Sequence, residues 1–233
     1  MILSARRADA LEAVRQSCEN PERHQVVPLD LEDHATHSGI VSYVFESQTR
    51  IDCLINNGGM SQRSLALGTC LKVDRRLMEI NFLGTVSLTK AILPSMIKAG
   101  SGHIVVVSSV AGKFGSPLRS SYSASKHALH GFFDSLRAEI FEAGVRVHMV
   151  CPGFVRTRIS LNAFSGDGSP HGKMDGAQES GMSLTEFARQ MVATLERGRA
   201  EIVIGGMRER MGVMLSRYAP SLLRWVIRRV KVD

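Results

Sequence analysis

The stretch that most limits the fold of this 233-residue chain is His103-Ile104-Val105-Val106-Val107 with the segment that follows it. The run is short, β-branched and buried-looking, so it reads as a strand. It delivers Ser109 to a loop punctuated by Gly112, Gly115 and Pro117, and a helical run then covers residues 123–141. The same alternation recurs along the chain. Residues 8–19, 35–48 and 74–99 have helical spacing, the last carrying Asn81 and breaking near Pro94. Residues 25–29, 51–55, 145–150 and 201–204 read as strands, and residues 2–5 as a very short first one. Strands and helices alternating at these lengths predict right-handed βαβ units, hence an α/β fold with a doubly wound parallel sheet and helices on both faces.

The chemistry gathers at strand ends. Tyr122 and Lys126 stand four apart at the head of a helix and share a face. A phenol with a pKa of about 10 is too weak a base at neutral pH, and a neighbouring cation lowers it by favouring the phenolate. A serine hydroxyl beside that phenol can hold a carbonyl or alcohol oxygen in line. Asn56-Asn57-Gly58-Gly59, Ser109 and Pro152-Gly153 each follow a strand at once, and open α/β sheets bind ligands beyond the carboxyl ends of their strands. Singly these are bland: Tyr-x-x-x-Lys is most often a solvated helix face, and the Gly pairs turns. In order, at one sheet edge, they form a site.

Composition excludes several classes. With 44% hydrophobic and 22% charged residues the chain can bury one full core. The four cysteines form no C-x-x-C pair and read as reduced thiols, which predicts a reducing intracellular compartment, cytoplasmic or peripherally membrane-associated. His34/His37 and His127/His130 lack a third ligand, so no metal is expected. No run reaches the ~18 consecutive apolar residues of a membrane span, and no leader is read at the start. The net charge of +7 is concentrated in residues 208–233, with seven basic and two acidic groups, so nucleic acid is not expected as a partner. There, apolar residues from Met211 to Val232 recur at helical spacing between arginines, with Pro220 splitting the run and Trp225 in its second half. That pattern fits peripheral contact with an anionic membrane, or docking on the chain itself or on a second subunit. Residues 156–182 read as a Gly-rich lid offering Phe154, Ile159, Leu161 and Phe164 to an apolar substrate, and Ser183 with Glu186 as a capping box.

From residue 1 to about residue 205 the sequence resembles the short-chain dehydrogenase/reductase family, most of all its member-7 branch. The runs 3–7, 57–65 and 83–90 carry the likeness to that branch. The resemblance implies a Rossmann-type domain over residues 1–205, including the lid, with 206–233 as a basic amphipathic tail. It implies catalysis by Asn81, Ser109, Tyr122 and Lys126. The cofactor would lie along Asp30, Asn57, Gly58, Pro152, Gly153 and Thr157, with Tyr122 and Lys126 at its nicotinamide end. Arg6 and Arg7 stand where NAD-preferring members carry a carboxylate, which implies NADP(H) over NAD(H). The implied activity interconverts a carbonyl and an alcohol on a small or lipophilic substrate, in a homo-oligomer. Gly58 replaces an alanine of the family motif. The family's first strand and Gly-rich turn, which seat the pyrophosphate, have no counterpart, so the sheet is expected to lack them. Either the sequence is shortened at its start, the favoured reading, or this is a truncated, non-catalytic relative serving as a binding or scaffold protein.

Overall fold

A computed structural model describes residues 1–48 and 50–229. The first strand, β1 (Ile2–Leu3), leads into α1 (Ala8–Ser17), then β2 (Gln25–Val26), α2 (His37–Ser47) and β3 (Cys53–Asn56). One long helical body follows: α3 (Leu71–Met78), a π-helical stretch Glu79–Leu83, and α4 (Gly84–Lys98). The active stretch comprises β4 (Gly102–Val107) and α5 (Ser120–Glu139), and β5 (Val145–Pro152) succeeds it. The chain closes with a short α6 (Gly176–Glu179), α7 (Leu184–Glu196), β6 (Glu201–Ile204), α8 (Met207–Tyr218) and α9 (Pro220–Ile227).

All strand pairs are parallel, as predicted. They form a four-stranded sheet, β3-β4-β5-β6, and a two-stranded sheet, β1-β2. The short pair is extended by Val27 N–H to Leu3 O and Leu29 N–H to Ala5 O, both 3.0 Å. The two sheets part between β1 and β3, the interval that the resemblance fills with a further strand. On that open edge, Cys53 and Ile55 of β3 face out, and Ile55 is 47% exposed.

The run 104–107 behaves as its composition demands. Ile104 and Val106 point into a core shared with Val41, Ile92, Met96, Leu129 and Phe133, from α2, α4 and α5. Val105 points the other way, to Val150, Ile204 and the Phe187, Met191 and Leu195 side chains of α7. A strand covered on both faces needs no polar alternation.

Two local expectations change. The long helix does not break at Pro94, which lies inside α4; its irregularity is the π-helical stretch, centred on Asn81. Single-turn π insertions recur at functional sites because they re-aim one side chain. At Ser183 the cap is real, its Oγ accepting Glu186 N–H at 3.2 Å. The reciprocal half of the box is not formed, since the Glu186 carboxylate turns to Arg189 and Gln190.

A candidate active site at the carboxyl edge of the sheet

Strand β4 ends at Val107, and Ser109 follows in extended conformation as the cap of a one-turn 3-10 helix, its Oγ accepting Ala111 N–H at 3.1 Å. The loop returns along α5 in close contact: a Cβ on Gly112 would stand 2.6 Å from Ser108 Oγ and 2.9 Å from Lys126 O. Only glycine permits that approach. Helix α5 begins at Ser120, so Tyr122 sits within its first turn. Gln62, fully buried, secures this turn by accepting Ser121 N–H at 2.9 Å and donating to Thr69 at 2.7 Å.

Tyr122, Lys126, Asn81 and Ser109 are all buried and converge. Ser109 stands beside the Tyr122 phenol and favours its ionised form. The Lys126 ammonium donates to Val107 O at 2.9 Å and lies 5.9 Å from the centre of the Tyr122 ring. Asn81 accepts Met60 N–H at 2.8 Å and donates to Met60 O and Ser125 Oγ, both at 2.9 Å. Gly59 lies against the same two groups, a Cβ there meeting Asn81 Oδ1 at 3.1 Å and Lys126 Nζ at 3.5 Å.

The electrostatics follow from burial. Loss of hydration pushes the Tyr122 phenol up from its usual value; the nearby Ser109 hydroxyl and the guanidiniums of Arg119 and Arg63 pull it back. Burial likewise lowers the Lys126 ammonium to about 8, with Cys151 opposing. The groups pulling on the phenol are therefore arginines that motif reasoning did not single out. Their carboxylate, Asp175, lies in the segment 156–182 and is also buried: its Oδ2 accepts from Arg63 Nε at 2.8 Å and from Arg119 at 3.1 Å.

The other expected residues are more dispersed. Arg6 and Arg7 follow β1 and line an open cleft of about 540 Å³ with Ala5, Ala10, Leu11 and Val14. Asp30 caps its own turn, accepting Glu32 N–H at 3.0 Å, while its carbonyl holds the buried His37 at 2.9 Å. Asn57 and Gly58 are exposed just past β3, with Gly58 against Leu31. Pro152 ends β5, Gly153 N–H donates to Ile204 O at 2.8 Å, and the Thr157 hydroxyl accepts from Gln178 at 3.3 Å.

Phe164 is not free to meet a substrate. It packs into a cluster with Val73, Leu77 and Ile80 under the Arg76 guanidinium, because backbone bonds to Ser61 and Arg63, both 2.8 Å, pin that segment there. Behind Lys126, His130, Cys151 and Glu201 approach one another, but the Lys113 ammonium stands among them, 3.2 Å from His130 and 2.6 Å from Glu201. Burial raises the Cys151 thiol to about 12, with the Glu201 carboxylate pushing the same way.

Residues 1–167 match the short chain dehydrogenase family. The chain belongs to that family. A Drosophila melanogaster dehydrogenase/reductase SDR family protein 7-like is 40% identical, over 100% of this chain and 74% of its own length. Human dehydrogenase/reductase SDR family member 7 is 39% identical over 99% of this chain and 70% of its own. Among solved structures, a short-chain dehydrogenase from Streptomyces avermitilis superposes with a TM-score of 0.80 at 26% identity, covering 97% of this chain and 87% of that one. A Burkholderia cenocepacia short chain dehydrogenase in complex with NADP gives 0.76 at 25% identity, covering 96% and 84%. This short-chain dehydrogenase is accordingly an oxidoreductase acting on CH–OH or C=O groups.

Proposed function

We propose that this short-chain dehydrogenase uses NADP(H) to interconvert a carbonyl and an alcohol on a small lipophilic substrate, with Tyr122 moving the proton. The observation that carries this reading is the buried cluster of Ser109, Tyr122, Lys126 and Asn81, with the Lys126 ammonium 5.9 Å from the centre of the Tyr122 ring. In the reduction, Tyr122 gives its proton to the substrate oxygen while Ser109 orients that oxygen. In the reverse direction the phenolate takes it. Lys126 and Asn81, which both lie beside Gly59, support the return of a proton to Tyr122 from solvent.

The residues present fit the two ends of a nicotinamide dinucleotide phosphate. The cofactor supplies and accepts the hydride. At one end stands the Lys126 ammonium, able to donate to a ribose hydroxyl. At the other, Arg6 and Arg7 flank an open cleft with chemistry suited to a 2′-phosphate. Between them Asn56 Oδ1 is a buried acceptor with no partner among the described residues. The expected titration shows NADPH binding at least about tenfold tighter than NADH, one charge-assisted contact being worth about 1.5–3 kcal/mol. Replacing both Arg6 and Arg7 by serine should erase the difference. Tighter binding of NADH by the unaltered protein would refute the cofactor assignment.

The tail fits peripheral contact with an anionic membrane. Part of it docks inward: Glu209 packs on Gly153, Gly212 on Phe114, and Leu223 is buried. The remainder exposes Met211, Met214, Tyr218, Leu222 and Trp225, with Arg229 stacked 3.9 Å over the indole. The end of the expected amphipathic run, residues 230–233, lies outside the described residues. With each basic residue contributing about 1 kcal/mol near an anionic surface, reversing Arg217, Arg224 and Arg228 to glutamate should cut co-sedimentation with anionic vesicles by more than about a hundredfold. Equal pelleting of both proteins would dismiss the contact.

A further inference from the structure

We propose that Arg119, sharing the lid carboxylate Asp175 with Arg63, is the positioning residue that stabilises the Tyr122 phenolate, and that Asp175 sets how strongly it does so. This rests on the reading that Tyr122 transfers the proton.

The geometry begins with spacing. Arg119 precedes Tyr122 by three residues, and its carbonyl accepts Ser123 N–H at 2.8 Å, so the two side chains emerge from one side of the first turn of α5. Leu118, just before, holds a left-handed conformation with φ of 64°, costly for a residue with a branched side chain. That turn is fixed from outside, because Ser64 N–H donates to the Leu118 carbonyl at 3.1 Å. The strain is thus sustained at the residue that aims Arg119 inward.

The charge count decides what Arg119 does there. Two guanidiniums, on Arg119 and Arg63, converge on Oδ2 of one carboxylate, Asp175. All three side chains are buried, with side-chain exposures of 11%, 6% and 2%. One positive charge is left over in a place water scarcely reaches. The Arg119 Nε–H has no partner among the described residues. An uncompensated buried cation is expensive, and a second anion beside it would relieve that cost.

The groups that face Tyr122 narrow the candidates to one. Ser109 from the β4 loop is neutral. Lys126, on the same helix, is itself a cation, with one N–H held by Val107 O. Asp74 of α3 is engaged by the Ser121 hydroxyl, and Asp175 is already shared. The phenol is the remaining group that can become an anion, and both arginines act on it in that direction. Asp175 opposes them by partly neutralising their charge. Because Asp175 is buried with the two arginines, removing its charge leaves both of them to act on the phenol.

The test reads Tyr122 directly, without cofactor or turnover. The chain has three tyrosines, Tyr43, Tyr122 and Tyr218. The ultraviolet tyrosinate titration of the full chain, minus that of its Tyr122→Phe variant, isolates the buried phenol. Arg119→Gln should raise that titration by about one pH unit, and Arg119→Lys should restore most of it. The Gln variant keeps the Arg63–Asp175 pair, so its fold is retained. Asp175→Asn supplies an independent arm with the opposite sign, a lowered titration. An unmoved Tyr122 in Arg119→Gln overturns the inference, as does an unmoved or raised one in Asp175→Asn. A Tyr122→Phe variant that still turns over would defeat the catalytic reading instead, leaving these titration shifts intact.

Discussion

Replacing Tyr122 by phenylalanine is expected to abolish turnover, with a loss of about 10³-fold or more, while the protein stays folded. General acid–base catalysis by a positioned side chain is worth about 10²–10⁴-fold, and Tyr122 is the buried phenol of this site. The substitution removes a single hydroxyl and leaves the ring in its packing. Its partner is not orphaned, since Ser109 Oγ still accepts Ala111 N–H. The stability cost should therefore stay near about 1 kcal/mol, the net worth of one hydrogen bond. On the proposed cofactor reading, NADPH fluorescence titration should show binding retained, because Lys126 and its bond to Val107 O are untouched. Measured together, intact melting, intact binding and lost turnover assign the proton to this phenol. Near-normal turnover would remove Tyr122 from the mechanism.

Much of this was readable because it is local. Ile104 to Val107 could be only a strand covered on both faces, and Ser109, Tyr122 and Lys126 lie within 18 residues of one another along the chain. The strand-end rule then brought Asn57 and Pro152 to the same edge without any long-range knowledge. The arginine–aspartate cluster was hidden for two different reasons. Asp175 meets Arg63 across 112 residues of chain, and nothing in either neighbourhood encodes that meeting. Arg119 was within reach, three residues before Tyr122. Starting the helix at Ser123 rather than Ser120 left it in the loop and concealed the shared face. Phe164 shows the converse failure. Its apolar side chain in a Gly-rich lid suggested a substrate contact, but tertiary backbone bonds committed it to a core cluster.

Asn81 carries the second large effect, and it joins stability to chemistry. Sequence position gave the residue but not its setting, because a π-helical stretch has no compositional signal of its own. The structure shows why the helix is distorted there. With its side chain entirely buried, Asn81 satisfies both the N–H and the carbonyl of Met60 and also engages Ser125 Oγ. Removing it by Asn81→Ala strands those partners in a dry interior, at about 1–3 kcal/mol for each group left unpaired. Losing two of them costs about 3 kcal/mol or more. For a domain of this size that lowers the melting temperature by roughly 6–12 °C. Turnover should fall as well, by about tenfold or more, since Gly59 and the segment beside Lys126 lose their anchor and positioning errors of an ångström are costly. Asn81→Asp separates the two contributions. The carboxylate can still accept Met60 N–H but cannot donate to Met60 O, so its melting point should fall between those of Asn81→Ala and the unaltered protein. If Asn81→Ala melts with the unaltered protein, the side chain does not hold the loop, and the π-helical stretch must be sustained by packing alone.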